Sequence, residues 1–128
     1  MIASAHSKFR LVYSLIEDCQ SVEELKHPAA RTILQYFGIT EGLEIHYDGD
    51  LPARSGMGSS SSFVVGLLKA LYRINNYNLT KYELAKKSIF IEQKILKEVV
   101  GSQDQVSATH GGFNKIIFKK NLIQVKPI

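Results

Sequence analysis

The chain has 128 residues, 45% hydrophobic and 22% charged, and carries a formal net charge of +4. This predicts one globular domain with a buried core and excludes a disordered chain; the basic residues are dispersed, without the aromatic-interleaved basic face of a nucleic-acid module, so no nucleic-acid partner is expected. Cys19 is the single cysteine, which excludes an intrachain disulfide; no run of roughly eighteen apolar residues predicts a membrane span, and Met1 to Arg10 lacks a secretory apolar stretch, so a cytoplasmic setting is expected.

Phe9 to Ile16, rich in β-branched and aromatic residues, reads as one strand without a partner nearby. Ser21-Val22-Glu23-Glu24 has the form of a capping box opening a short helical turn. Pro28 opens a helix carrying Ala29, Ile33, Leu34 and Phe37 on one side, with Gly38 as its stop. Leu43 to Tyr47 alternates like a half-buried strand. Phe63, Val64, Leu67, Leu68 and Leu71 recur at helical spacing, predicting a helix to about Ile74. Asn75 to Asn78 is a loop, and Thr80 with Glu83 forms a second capping box. The helix that follows places Leu84, Ser88, Ile91 and Ile95 on one face and ends near Gly101. Gln103 to Thr109 suits a further helical turn or two, and Phe113 to Phe118 with Leu122 to Val125 suits a pair of strands. This order predicts an α+β fold, a sheet with packed helices. Tyr36, Phe37, Phe63 and Tyr72 are assigned to the core, and the four histidines lack metal-ligand spacing.

Between the second strand and the long helix lies Pro52-Ala53-Arg54-Ser55-Gly56-Met57-Gly58-Ser59-Ser60-Ser61-Ser62. Two glycines allow a tight turn and close backbone approach to a ligand. The serines open the helix, where free backbone N–H groups and the helix dipole favour an anion. Their hydroxyls are hard oxygen donors suited to Mg²⁺. A serine-capped helix after a glycine turn explains the same composition. The spacing is that of neither a Walker A loop nor a dinucleotide fingerprint.

This stretch resembles the central motif of the GHMP kinases, Pro-x-x-x-Gly-Leu-Gly-Ser-Ser-Ala-Ala. Pro52, Gly56, Gly58, Ser59 and Ser60 match it in place, Met57 stands for leucine, and Ser61 and Ser62 replace the paired alanines. The resemblance implies that Pro52, Gly56, Met57, Gly58, Ser59, Ser60 and Ser61 bind ATP. It also implies an incomplete copy of the family's N-terminal domain, whose architecture is that of ribosomal protein domain 2.

Glu92 and Asp104, by spacing alone, suit two solvated surface carboxylates; together they could also hold Mg²⁺ or accept a proton from a hydroxyl. The resemblance implies that Glu92 and Ser60 hold Mg²⁺ and that Asp104 is catalytic, beside the acceptor hydroxyl. More narrowly, Gly101-Ser102-Gln103-Asp104-Gln105 and Gly111-Gly112 are similar to the branch that phosphorylates the anomeric hydroxyl of sugars such as heptose 7-phosphate. Ser102 stands where that branch commonly has lysine. The implied partners are ATP and a small sugar or sugar phosphate. The family's N-terminal strand motif and C-terminal domain lie outside this pattern, so a second chain or self-association is expected to complete the fold. The alternatives are an ATP-binding remnant without catalysis, a kinase for fucose, galactose, mevalonate or homoserine, and an interaction domain that keeps only the fold.

Overall fold

The computed structural model describes residues 8–50 and 55–128 in full and residues 2–6 as backbone. Four strands, β1 (Ile2–His6), β2 (Phe9–Val12), β3 (Ile16–Cys19) and β4 (Gly42–His46), form a sheet in the order β1-β4-β2-β3. β4 runs antiparallel to β1 and parallel to β2, and β2 runs antiparallel to β3. Alternation decides which residues face the core: Phe9 and Leu11 of β2, and Leu43 and Ile45 of β4, are all buried.

The expectation of one strand from Phe9 to Ile16 is corrected. The chain reverses at Tyr13-Ser14-Leu15, where the Tyr13 N–H donates to the Leu15 carbonyl at 2.8 Å. β2 therefore does have a partner close in sequence. β1 is an element the sequence reading did not anticipate; it pairs with β4 at the sheet edge.

Val22–Glu24 forms a single 3₁₀ turn, and the Ser21 side chain caps nothing. The expected capping box does not close there; the Glu24 carboxylate accepts from the Gln20 N–H instead, at 3.1 Å. Helix α1 (Pro28–Tyr36) starts at its proline as expected. His27 caps it, its Nδ1 accepting from the Ala30 N–H at 3.2 Å. Beyond the helix, Gly38 takes the left-handed conformation (φ +64°) that ends it.

Helix α2 (Ser59–Ile74) buries Phe63, Val64, Leu67, Leu68 and Leu71, the predicted stripe. Helix α3 (Lys81–Phe90) opens with the predicted Thr80–Glu83 capping box, both bonds being present at 3.2 and 2.8 Å. α3 continues into a π-helical turn, Ile91–Ile95, and stops short of Gly101. Lys97 at φ +55° lies in the segment that follows. Helix α4 (Gln103–His110) comes next, then a hairpin of β5 (Asn114–Lys119) and β6 (Leu122–Pro127).

α2 packs against α1, α3 and α4. Leu25, Ile33, Leu34, Val64, Leu68, Leu71 and Ile91 are among the fully buried side chains of one shared core. Each such aliphatic side chain stabilises the fold by roughly 1.5–3 kcal/mol. The aromatic assignment divides: Phe63 is core, but Tyr36 is exposed, edge-on to Phe37 and hydrogen-bonded to Lys87 Nζ through its hydroxyl. Its polar tip reaches water from the end of α1 while the ring covers neighbouring apolar surface. No helix among the described residues is long and apolar enough to cross a membrane.

Candidate active site

The glycine-serine turn enters α2 through two left-handed residues. Gly56 has φ +73° and Gly58 has φ +74°, a conformation that costs other residues about 1–2 kcal/mol. Gly58 is the N-cap of α2, and no side chain among the described residues caps that helix. The contrast with α1 and α3, each capped by a side chain, is chemical: among the described residues α2 offers open donors. Its first intrahelical bond runs from the Ser62 N–H to the Gly58 carbonyl at 2.9 Å. The N–H groups of Ser59, Ser60 and Ser61 precede that bond and have no intrahelical acceptor. Tyr47 fixes this end of the helix, its hydroxyl donating to the Ser59 carbonyl at 3.2 Å. Ser60 and Met57 are exposed, and Ser61 is buried. The Ser55 hydroxyl is buried with no hydrogen-bond partner among the described residues. Pro52 and Arg54 lie outside the described residues.

The two carboxylates occupy different environments. Asp104 is exposed, in the first turn of α4, where the dipole favours a negative charge. Glu92 has no exposed surface at all, so the expectation of two solvated carboxylates is corrected. The π turn carries Glu92 and is closed by the Leu96 N–H donating to the Ile91 carbonyl at 2.8 Å. Such single π turns occur frequently at functional sites. Ser61 Oγ stands 3.0 Å from both carboxylate oxygens of Glu92, and Gln105 Nε2 donates to its Oε2. Burial pushes the Glu92 carboxyl above its ordinary range. The Gln105 and Ser61 donors pull it back, and the charges of Glu98 and Asp104 add to the rise.

α2 and α4 also touch at the glycine. A Cβ on Gly58 would lie 3.3 Å from Asp104 Cγ and 3.4 Å from its Oδ2, so the aspartate side chain packs against the bare backbone of the turn. Sequence-distant segments thus converge: the turn at 56–61, the π turn at Glu92, and the start of α4 at Asp104. Ser61, rather than Ser60, is the serine bonded to Glu92. Gln105 is a residue of this arrangement that sequence reasoning did not single out. A signal existed for the others: Ser61 falls in phase with Val64, Val65 and Leu68 on α2, and Glu92 with Leu84 and Ser88 on α3. A polar residue in a buried stripe needs a partner.

Oxygen donors of this kind suit Mg²⁺, which is commonly held by one or two carboxylates together with substrate phosphates rather than by an all-protein cage. Among the described residues no group of three histidine, cysteine, aspartate or glutamate side chains could hold a metal by itself. Anionic phosphates suit the uncapped end of α2 and the unpartnered Ser55 hydroxyl.

Residues 22–112 match the family described as GHMP kinases N terminal domain. The chain is 46% identical over 77 residues to a D-glycero-alpha-D-manno-heptose 7-phosphate kinase of Campylobacter jejuni, covering 60% of this chain and 23% of that protein. It is 33% identical over 88 residues to a galactokinase of Schizosaccharomyces pombe, covering 68% of this chain and 16% of that one. In structure it is similar to a D-glycero-D-manno-heptose 1-phosphate kinase of Bacteroides thetaiotaomicron, with a TM-score of 0.80 and 27% identity over 99% of this chain and 46% of the other. This chain therefore spans less than a quarter of the length of these two sequence relatives and less than half of that solved structure. Because the family match runs through the turn, Glu92 and Asp104 alike, the chain belongs to the GHMP kinase family.

Proposed function

We propose that this chain is the nucleotide-binding part of an ATP-dependent sugar kinase whose acceptor is the anomeric hydroxyl of D-glycero-D-manno-heptose 7-phosphate. The observation that carries the reading is the convergence of an uncapped helix start with Glu92 and Asp104. The 46% identity to a heptose 7-phosphate kinase supports the choice of acceptor. A cytoplasmic setting, where ATP is abundant, fits the lone buried thiol of Cys19.

In this reading the N–H groups of Ser59, Ser60 and Ser61 donate to ATP phosphate oxygens, and Gly56 and Gly58 let the backbone approach them. Ser60 and Glu92 hold Mg²⁺. The ion, when bound, neutralises charge that develops on the transferred group. The Ser61 and Gln105 donors leave lone-pair positions of the Glu92 carboxylate unfilled, but the group has no exposed surface, so holding the ion there requires the side chains around it to part. Asp104, exposed beside the turn, orients the sugar hydroxyl or accepts its proton. Positioning and electrostatics supply most of the rate enhancement in such transfers.

A coupled assay with ATP and heptose 7-phosphate tests the proposal, with galactose, fucose, mevalonate and homoserine as competing acceptors. Turnover dependent on heptose 7-phosphate is expected, and Asp104→Asn is expected to abolish it while ATP still binds. Turnover on another acceptor alone would reassign the substrate. ATP binding without transfer to any acceptor would reduce the chain to a nucleotide-binding domain.

A further inference from the structure

Two buried donors from different helices meet on one carboxylate. Ser61, in the first turn of α2, and Gln105, in the first turn of α4, both donate to Glu92, and the three side chains are 5%, 1% and 0% exposed. The Gln105 amide is turned with its Nε2 on Glu92. That orientation leaves Gln105 Oε1 buried without a hydrogen-bond partner among the described residues. An orphaned acceptor destabilises the fold, and an apolar side chain would avoid it. The amide is therefore explained by what it does for the carboxylate. Asp104 also lies against the bare backbone of Gly58, between the same two segments.

We propose that Ser61 and Gln105 are positioning residues acting through Glu92: they lock the first turn of α2 to the first turn of α4, so that the phosphate-binding turn and Asp104 keep one relative placement. The functional consequence rests on the kinase reading, while the lock itself does not.

Amide hydrogen exchange of the ligand-free 128-residue chain tests the lock. Ser61→Ala removes a single oxygen from α2, yet exchange is expected to quicken by about tenfold or more both at Ser62 to Val65 and, across the bridge, at Ser107 to His110. Gln105→Leu is expected to quicken the same two segments. Quickening confined to the helix that carries the substitution overturns the proposal, and if Gln105→Leu does not fold, Ser61→Ala decides alone. A calorimetric titration with Mg·ATP then reads the consequence. Ser61→Ala is expected to weaken Mg²⁺-dependent ATP binding several-fold in the wild-type background and not at all in Glu92→Gln; equal losses in both overturn action through Glu92. A wild-type chain that binds no Mg·ATP counts against the kinase reading, and the exchange result still decides the lock.

Discussion

Gly56 and Gly58 provide a matched pair of perturbations. Their φ angles are nearly equal, +73° and +74°, so alanine at either position carries the same left-handed penalty of about 1–2 kcal/mol. Their surroundings differ. No described atom lies within 4 Å of a Cβ at position 56, whereas a Cβ at 58 meets Asp104 Cγ at 3.3 Å and Asp104 Cβ and Oδ2 at 3.4 Å. Asp104 is exposed and can yield by a few tenths of an ångström, so this contact adds a smaller cost to the strain and moves the carboxylate. Urea unfolding at neutral pH is the assay. Gly56→Ala is expected to lower stability by about 1–2 kcal/mol, and Gly58→Ala by somewhat more. Adding Asp104→Ala should cancel the excess, because the double-mutant cycle then retains only the strain. A wild-type unfolding midpoint for either single variant would refute the strain argument. An excess that survives removal of the Asp104 side chain would refute the contact.

Three further outcomes follow from other parts of the fold. Leu34 is fully buried between α1 and the rest of the core, and Leu34→Ala is expected to cost about 2–5 kcal/mol in urea unfolding; a loss below 1 kcal/mol would place it outside the core. His27 caps α1 only with a neutral Nδ1, and burial holds its pKa below the ordinary 6.5, opposed by the charge of Glu17. Its contribution is therefore complete above pH 6.5 and lost as pH falls through the lowered value, so stability should decline over that window in the wild type and stay level in His27→Asn, which keeps an acceptor at the cap. Glu92 shows the opposite balance for an acid: burial raises its pKa, so its charge costs stability once pH rises through the folded value. Glu92→Gln is accordingly expected to be at least as stable as wild type near neutral pH while Mg²⁺-dependent ATP binding weakens; a clear loss of stability with metal binding intact would reverse that assignment.

The helices were legible because each has a local cause. The stripe Phe63-Val64-Leu67-Leu68-Leu71 and the Thr80–Glu83 box operate within a few residues, and both appear as read. The short strands were less so. The sharp reversal at Tyr13 to Leu15 contains neither glycine nor proline, so nothing in composition divides Phe9 to Ile16 in two. β1 gains its place only by pairing with β4, some forty residues away, which no local pattern encodes. At Ser21 the capping sequence was present and the cap was not, because Glu24 is bonded one residue earlier, to the Gln20 N–H. The end of α3 was misplaced for a related reason. The π turn at Ile91–Ile95 changes the helical period, and a stripe counted at 3.6 residues per turn cannot register that change.

The candidate site divides along the same line. Gly56, Gly58 and the serines at the head of α2 could be read because a tight turn and an open helix end are properties of consecutive residues. The state of Glu92 was legible only in part: its phase with Leu84 and Ser88 points to a buried face, but the donors that meet it come from two other segments. Only the fold puts Ser61 and Gln105 on its two oxygens. The same burial that raises the cost of the charge leaves it few ways to turn, since water no longer competes for its lone pairs. A carboxylate so held is an expensive way to stabilise a domain: a hydrophobic side chain of similar volume would do as well or better. The physical case for a functional Glu92 therefore lies less in its position in a motif than in the stability the fold forgoes to bury a carboxyl there.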